Sequence, residues 1–354
     1  MASKLIFVTG ASGFLASHII YQLLQQGHRV RATARGKNVP ALQELYKGHP
    51  VEIIEMADIA HTQLDESALS GVDALIHTAS PLPGKVDGDE LLKTAIDGSL
   101  NILRQAEKAG VKKFVVTSSI SAVVGDPAAK SPTDLRPEYW NPVTKEDAAS
   151  GNVWAVYAAS KKYAELAVWE WAEQHPHVDV TTLTPPFIYG PFAPLWLPIP
   201  AGEFARFSTN MMLYNLLFHN GVHQPRPSHI DVRDVARAHV AAALADNANV
   251  KDDGKRKRII FTSPNPFVFA DIKADILRAR PELEGRFIQT PPPVLNFERF
   301  DIDFGRIEEV LGIKKEDFHT RQETFLDGID SILEVEKKWL AEGYVLPEKV
   351  PEMA

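Results

Sequence analysis

Apolar residues recur along the first half of the chain with two alternating periods. Leu5-Ile6-Phe7-Val8, then residues 28–35 with Val30, Ala32 and Ala34 on one face, then 51–56, 74–77, 113–117 and 180–183 are short runs that read as six strands. Between them the apolar positions return every three or four residues. Leu15, Ile19, Ile20, Leu23 and Leu24 form one such stripe, ending at Gly27, and residues 90–109 and about 154–174 form two more. Strand and helix in strict alternation predict an α/β protein with a doubly wound parallel sheet, a Rossmann fold, whose ligand sits at the carboxyl ends of the strands. After Pro185 the pattern changes. Residues 189–200 are rich in Pro, Phe, Trp and Leu, the chain rejoins the sheet near 258–262, and 270–279 and 318–339 read as later helices, with a frayed tail from Val345. The expected organisation is a nucleotide-binding domain over 1–185, with 230–262 returning to it. A smaller substrate-binding subdomain covers 186–229 and 263–330, and a C-terminal helix and tail cover 331–354.

The junction of the first strand and first helix carries the first chemistry. It reads Thr9-Gly10-Ala11-Ser12-Gly13-Phe14-Leu15-Ala16. Gly10 permits a tight turn, Gly13 lets backbone approach a pyrophosphate, and Ala16 keeps the helix close to the strand. The helix N-terminus offers N–H groups to the anion. Gly10, Ser12, Gly13, Phe14 and Leu15 are the expected cofactor contacts of this turn. The end of the second strand then chooses the dinucleotide. An NAD site usually has a carboxylate there for the ribose 2′-hydroxyl. Residues 27–40 hold no Asp or Glu but do hold Arg29, Arg31, Arg35 and Lys37. Arg35 can pair with a 2′-phosphate and stack on adenine, so NADPH (NADP+) is favoured over NADH. Asp58, after the third strand, either meets the adenine edge or caps the following turn.

Tyr157-Ala-Ala-Ser-Lys161 places a phenol and an ammonium four residues apart on one helical face. A free phenol titrates near 10 and is a poor proton donor–acceptor at neutral pH. A neighbouring cation favours the phenolate and tunes it for general acid work on a carbonyl oxygen. The fifth strand ends in Val116-Thr117-Ser118-Ser119. A hydroxyl there can hold a substrate oxygen beside Tyr157, or can simply cap a turn.

Composition narrows the reading. The 354 residues are 45% hydrophobic and 24% charged, enough for a large core, and a net charge of −8 argues against a broad nucleic-acid surface. The single basic run, Lys255-Arg256-Lys257-Arg258, is expected to close a surface turn. There is no cysteine, hence no disulfide, thiolate nucleophile or cysteine metal site. The twelve histidines show no ligand spacing, so no metal is expected. His77 reads as a satisfied core or pocket histidine, and Glu165, Trp169 and Trp171 as packing or solvated positions. No signal peptide or membrane-spanning run is evident. The expectation is a soluble, cytoplasmic monomer or homodimer without nucleic-acid or membrane partners.

With these residues in place, the chain resembles the extended short-chain dehydrogenase/reductases over nearly its full length. The resemblance rests on Thr9-Gly10-x-x-Gly13-x-x-Ala16, Thr117-Ser118-Ser119 and Tyr157-x-x-x-Lys161. Within that family it is similar to the dihydroflavonol reductase, cinnamoyl-CoA reductase and yeast methylglyoxal reductase group, through the segments 31–35, 185–191 and 229–236. The resemblance implies a Ser119, Tyr157, Lys161 triad, with Lys161 also bonding the nicotinamide ribose. It further implies cofactor contacts from Arg35, Asp58, Ile59, Thr78, Ala79, Ser80, Pro185 and Ile188; Lys37, two residues past Arg35, is an expected contact on its charge. Val124 stands where dihydroflavonol reductases carry an asparagine, and the residues before Tyr157 lack the cinnamoyl-CoA reductase signature. The fungal and yeast aldehyde and ketone reductases are nearer.

The expected activity is NADPH-dependent reduction of a small apolar or aromatic aldehyde or ketone. Pro81, Val124, Tyr189 and Trp196 are the candidate substrate contacts, with Ser80-Pro81-Leu82-Pro83 as one wall. Trp196 could equally pack the smaller subdomain. Two alternatives remain: a nucleotide-sugar epimerase or dehydratase on the same scaffold, and a non-enzymatic NADP-sensing regulator.

Overall fold

The computed structural model describes residues 2–81, 88–125, 135–150, 152–223, 228–245, 256–292 and 300–350. Leu82, Pro83, Lys255 and the last four residues, which figure in the expectations above, lie outside them. Nine strands appear among the described residues: β1 (Leu5–Thr9), β2 (Arg29–Ala34), β3 (Val51–Glu55), β4 (Ala74–His77), β5 (Lys113–Thr117), β6 (Asp179–Thr184), β7 (Phe187–Tyr189), β8 (His229–Asp231) and β9 (Lys257–Ile260). The helices are α1 (Phe14–Gln25), α2 (Val39–Leu45), α3 (Glu66–Leu69), α4 (Gly88–Lys108), α5 (Val153–Gln174), α6 (Asn210–Asn215), α7 (Val232–Leu244), α8 (Phe269–Ala279), α9 (Phe304–Leu311) and α10 (Arg321–Ala341). All six strands read from the sequence form, within a residue or two of their expected ends.

Seven strands make one parallel sheet in the order β3-β2-β1-β4-β5-β6-β9. Alternation along the strands explains why both faces are covered. Ile6 and Val8 of β1 join Val115 of β5 in a core beneath α1 and α7. Leu5 and Phe7, with Leu75, Phe114 and Val116, join the opposite core beneath α4 and α5. A strand apolar at successive positions must be buried on both sides, as helix-covered parallel sheets are.

β7 and β8 form a separate two-stranded parallel sheet. It borders a second core of Tyr189, Phe204, Phe207, Tyr214, Phe267, Phe287, Phe325 and Trp339, with α6, α8 and α10 around it. Two expected boundaries differ from this packing. α10 runs unbroken through 330 and 331, and its inward residues Phe325, Ile329, Ile332 and Trp339 all belong to the second core. The expected boundary at 330 therefore falls inside one helix. α9 carries Ile307, Val310 and Leu311 into the nucleotide-side core beside α7, although 263–330 was expected to serve the other unit. Its apolar stripe fits either core, and only the path of the chain decides between them.

Candidate active site

The glycine turn is held by a hydroxyl. Thr9 ends β1 fully buried, and its Oγ1 accepts the amide N–H groups of Thr78 and Ala79, each at 3.1 Å. That leaves its proton for His77 Nδ1, 3.0 Å away. Burial pushes the His77 imidazole down to about 3, with the Lys161 charge adding to the effect, so the ring is neutral and free to accept. His77 is thus a satisfied core histidine. The Thr78 hydroxyl closes the knot by donating to the Thr9 carbonyl at 2.6 Å. This clasp brings the ends of β1 and β4 together, and Thr9 was not among the expected site residues.

Gly10 follows with φ +78°, and a Cβ on it would lie 3.3 Å from Ala79 Cα. Gly13 is the N-cap of α1 and has no capping side chain, and a Cβ there would come 3.1 Å from the Gly10 carbonyl. The positive φ makes Gly10 a glycine position, while at Gly13 a side chain would crowd the Gly10 carbonyl. Ser12 is half-buried and Gly13 exposed at the opening of the turn. The side chains of Phe14 and Leu15 are buried. Ala16 is buried against the sheet as its small size allows.

Past β2, Arg35 and Lys37 are exposed, while Arg31 is tied to Glu52 at 2.6 Å and to three carbonyls of the 67–70 turn. Of the cations at the end of β2, Arg35 and Lys37 are therefore the ones not tied into such a network among the described residues. The fold also brings in a carboxylate that reading 27–40 alone missed: a Cβ on Gly36 would come within 2.7 Å of Glu55 Oε1, at the end of β3. Asp58 caps its own turn, accepting from Ala60 N–H at 2.8 Å. Its hydrogen bond with His61 holds the carboxyl below its ordinary range. Ile59 is half-buried against Gly98 of α4.

α5 opens on Asn152, whose side chain accepts from Trp154 and Ala155 N–H. The cap fixes where the helix starts and so which face Tyr157 and Lys161 share. Tyr157 is half-buried, whereas Lys161 is buried and its Nζ lies 5.7 Å from the Tyr157 ring centre. The same Nζ donates to Ser80 Oγ at 2.8 Å, joining the helix to the segment after β4. Ser119 is buried just past β5 and caps the following turn, its Oγ accepting from Ser121 N–H at 3.1 Å. The cap uses a lone pair and leaves the hydroxyl proton available. Pro185 is buried after β6 and its carbonyl accepts from Ile120 N–H at 2.9 Å. Ile188 is half-buried in β7. Ser80, Ser119 and Pro185 follow β4, β5 and β6 at the carboxyl edge of the seven-stranded sheet, and Lys161 is tied to that edge through Ser80, whereas Ile188 belongs to the small sheet.

The chain belongs to the NAD dependent epimerase/dehydratase family, the extended short-chain dehydrogenase/reductases. The family model matches residues 6–254. An uncharacterised oxidoreductase of Schizosaccharomyces pombe is 32% identical, over 92% of this chain and 96% of its own length. The NADPH-dependent methylglyoxal reductase of Saccharomyces cerevisiae is 29% identical over 94% and 98%. The solved yeast methylglyoxal/isovaleraldehyde reductase, complexed with NADPH, superposes with a TM-score of 0.73 at 26% identity, covering 94% of this chain and 99% of that one.

The expected substrate contacts of this family member divide. Pro81 is half-buried next to Ser80. Val124 is buried with Ile120, Leu135 and Phe300, and Tyr189 is 1% exposed in the second core, its ring tilted against Phe325. Both side chains are buried in packing clusters, and Tyr189 also borders a cavity with Met212 and Phe267. Trp196 stacks on Phe192 at 5.7 Å and meets Phe14 edge-on at 6.2 Å, wedging the proline-rich segment against α1. Arg258 is the largest departure: expected to close a surface turn, it is 1% exposed in β9 and paired with Glu165, which is not solvated either. Among the described residues no helix is long and apolar enough to cross a membrane.

Proposed function

We propose that this protein is an NADPH-dependent carbonyl reductase that converts a small aldehyde or ketone to its alcohol. The observation that carries the proposal is the Lys161 ammonium, buried 5.7 Å from the Tyr157 ring and anchored on Ser80 at the strands' carboxyl edge. The glycine cradle without side-chain capping at Gly13 suits a pyrophosphate, and the exposed Arg35 and Lys37 suit a 2′-phosphate. The Saccharomyces cerevisiae relative bears the same cofactor and reaction type in its name.

When bound, the cofactor supplies hydride to the carbonyl carbon. Tyr157 gives its phenolic proton to the carbonyl oxygen, and Lys161 stabilises the phenolate left behind. Ser119 holds that oxygen with its free hydroxyl proton. Lys161 keeps two further N–H donors beyond the one on Ser80, which suits a ribose hydroxyl. Pro81 borders the substrate, whereas Val124, Tyr189 and Trp196 shape the site from behind by fixing the backbone around it.

The test is oxidation of NADPH, followed by its absorbance, over a panel from methylglyoxal through aliphatic ketones to aryl ketones and aldehydes. Wild type should turn over several of them. Tyr157→Phe should keep NADPH affinity and lose turnover by about 10²–10⁴, the range for general acid catalysis. Turnover of UDP-sugars alone, or full activity in Tyr157→Phe, would overturn the assignment.

A further inference from the structure

Glu165 and Arg258 form an ion pair in the middle of the protein, each side chain 1% exposed. Burying two charges costs more than a surface pair returns, so such a pair needs hydrogen-bond partners. Four guanidinium N–H groups and both carboxylate oxygens have them. Arg258 Nε and Nη2 reach the two Glu165 oxygens at 2.8 and 3.2 Å. The carboxylate also accepts from the Ser118 hydroxyl at 2.7 Å, the Thr182 hydroxyl at 2.8 Å and, more weakly, Trp169 Nε1 at 3.4 Å. Arg258 Nη1 donates to the carbonyls of Pro137 and Tyr139 at 2.8 and 2.6 Å, and its guanidinium lies 3.7 Å from the Trp140 ring centre.

The position of this cluster matters more than its strength. Tyr157, Lys161 and Glu165 are spaced by four on α5, so they share one helical face. At its foot, Glu165 is bonded to three strands at once: Ser118 after β5, Thr182 in β6 and Arg258 in β9. Ser118 immediately precedes Ser119. On the other side, the segment that Arg258 grips continues to Asn141, whose amide donates to the carbonyls of Ser121 and Val124 at 2.8 and 2.6 Å. One carboxylate therefore fixes the roll of the helix bearing Tyr157 relative to the strand end bearing Ser119, and the guanidinium ties down the segment behind both.

We infer that Glu165 and Arg258 are positioning residues for carbonyl reduction, setting the Tyr157 hydroxyl against the Ser119 hydroxyl. The inference rests on the carbonyl reductase reading. Neither residue belongs to the nucleotide site, so cofactor binding should not depend on them. Turnover should, because misplacing reacting groups by about 1 Å can cost on the order of 10²-fold.

Three proteins test it: Ser118→Ala, which removes the link to the end of β5, next to Ser119, and leaves the ion pair and the Thr182 link whole; Ser118→Thr, which restores a hydroxyl; and the paired change Glu165→Leu with Arg258→Met, which removes both charges together and leaves neither unpaired. NADPH titration counts competent sites and gives Kd, and kcat is then expressed per site on a carbonyl that the wild type reduces. The expected result is an unchanged Kd, a kcat per site lowered about tenfold or more in the paired variant and by a smaller factor in Ser118→Ala, and recovery in Ser118→Thr. A merely structural role would reduce the number of sites and the melting temperature but not turnover per site. Wild-type kcat per site in Ser118→Ala overturns the inference, and that variant decides alone if the paired one fails to bind NADPH. Absence of carbonyl turnover in the wild type would instead sink the reductase reading, and the inference with it.

Discussion

In the proposed assignment, Arg35 carries most of the choice of cofactor, with Lys37 beside it; both side chains are exposed. Its guanidinium can make charge-assisted bonds to a 2′-phosphate and has nothing equivalent to offer a 2′-hydroxyl, whereas Arg31 is committed to Glu52 and the 67–70 carbonyls. Arg35→Ala should weaken NADPH by about 1.5–3 kcal/mol, toward the lower end because the site is solvent-screened, and leave NADH unchanged. Parallel titrations of both dinucleotides check this, and an equal loss for both would refute the assignment. At this scale the sequence was informative wherever the spacing was local. Gly10, Gly13, Tyr157 and Lys161 each lie within a few residues of their working partners, so motif and geometry coincide. Glu165 and Arg258 were opaque because 93 positions separate them. A lone glutamate on a helix reads as a packing or solvated position, and a basic run before a strand as the end of a surface turn, until the sheet brings them together.

The end of β1 is the element on which the nucleotide half depends. Thr9 satisfies two amide N–H groups and one imidazole with a single hydroxyl. Thr9→Val keeps the shape and strand propensity but orphans all three. Each buried group left without a partner costs about 1–3 kcal/mol, so the variant should lose several kcal/mol in urea denaturation and bind NADPH more weakly. A loss below about 1 kcal/mol would mean that β1 and β4 are held by the sheet ladder alone. At the far end of the chain, α10 begins with a capping box in which Thr320 and Glu323 bond each other's backbone N–H. Thr320→Ala should lower stability by about 1 kcal/mol without touching turnover, measured by melting and by NADPH oxidation on the same sample.

Across the whole molecule, burial keeps four imidazoles neutral. Desolvation pushes His18 and His239 down to about 4, and His77 and His229 to about 3. An unfolded histidine binds its proton near pH 6.5, so between that value and the folded one the unfolded state holds more protons. The stability each contributes is complete above pH 6.5 and is lost as pH falls, on the order of 3 kcal/mol apiece by pH 4. His319 acts in the opposite sense. Its hydrogen bond with Asp234 raises it, so its contribution is present at low pH and lost as pH rises above 6.5. The sum predicts an acid transition well above pH 4, with native stability greatest near neutrality, as circular dichroism across pH 3–8 would show. A folded state unperturbed at pH 4 would contradict this.

The alternation of short apolar runs with helical stripes determined the parallel doubly wound sheet by itself, because the central runs had to be buried on both faces and each stripe on one. The glycine turn and the Tyr157–Lys161 spacing were likewise fixed locally, by backbone conformation and helical pitch. Tertiary structure alone decided which core each later helix serves, since the stripe on α9 or α10 carries no address. It also decided that Val124 and Tyr189 are buried in packing clusters and that Trp196 stacks on Phe192, that Glu55 approaches the loop after β2, and that a buried ion pair joins α5 to three strands. Those outcomes depend on where the chain crosses itself, and pairing across long separations leaves no period in the sequence.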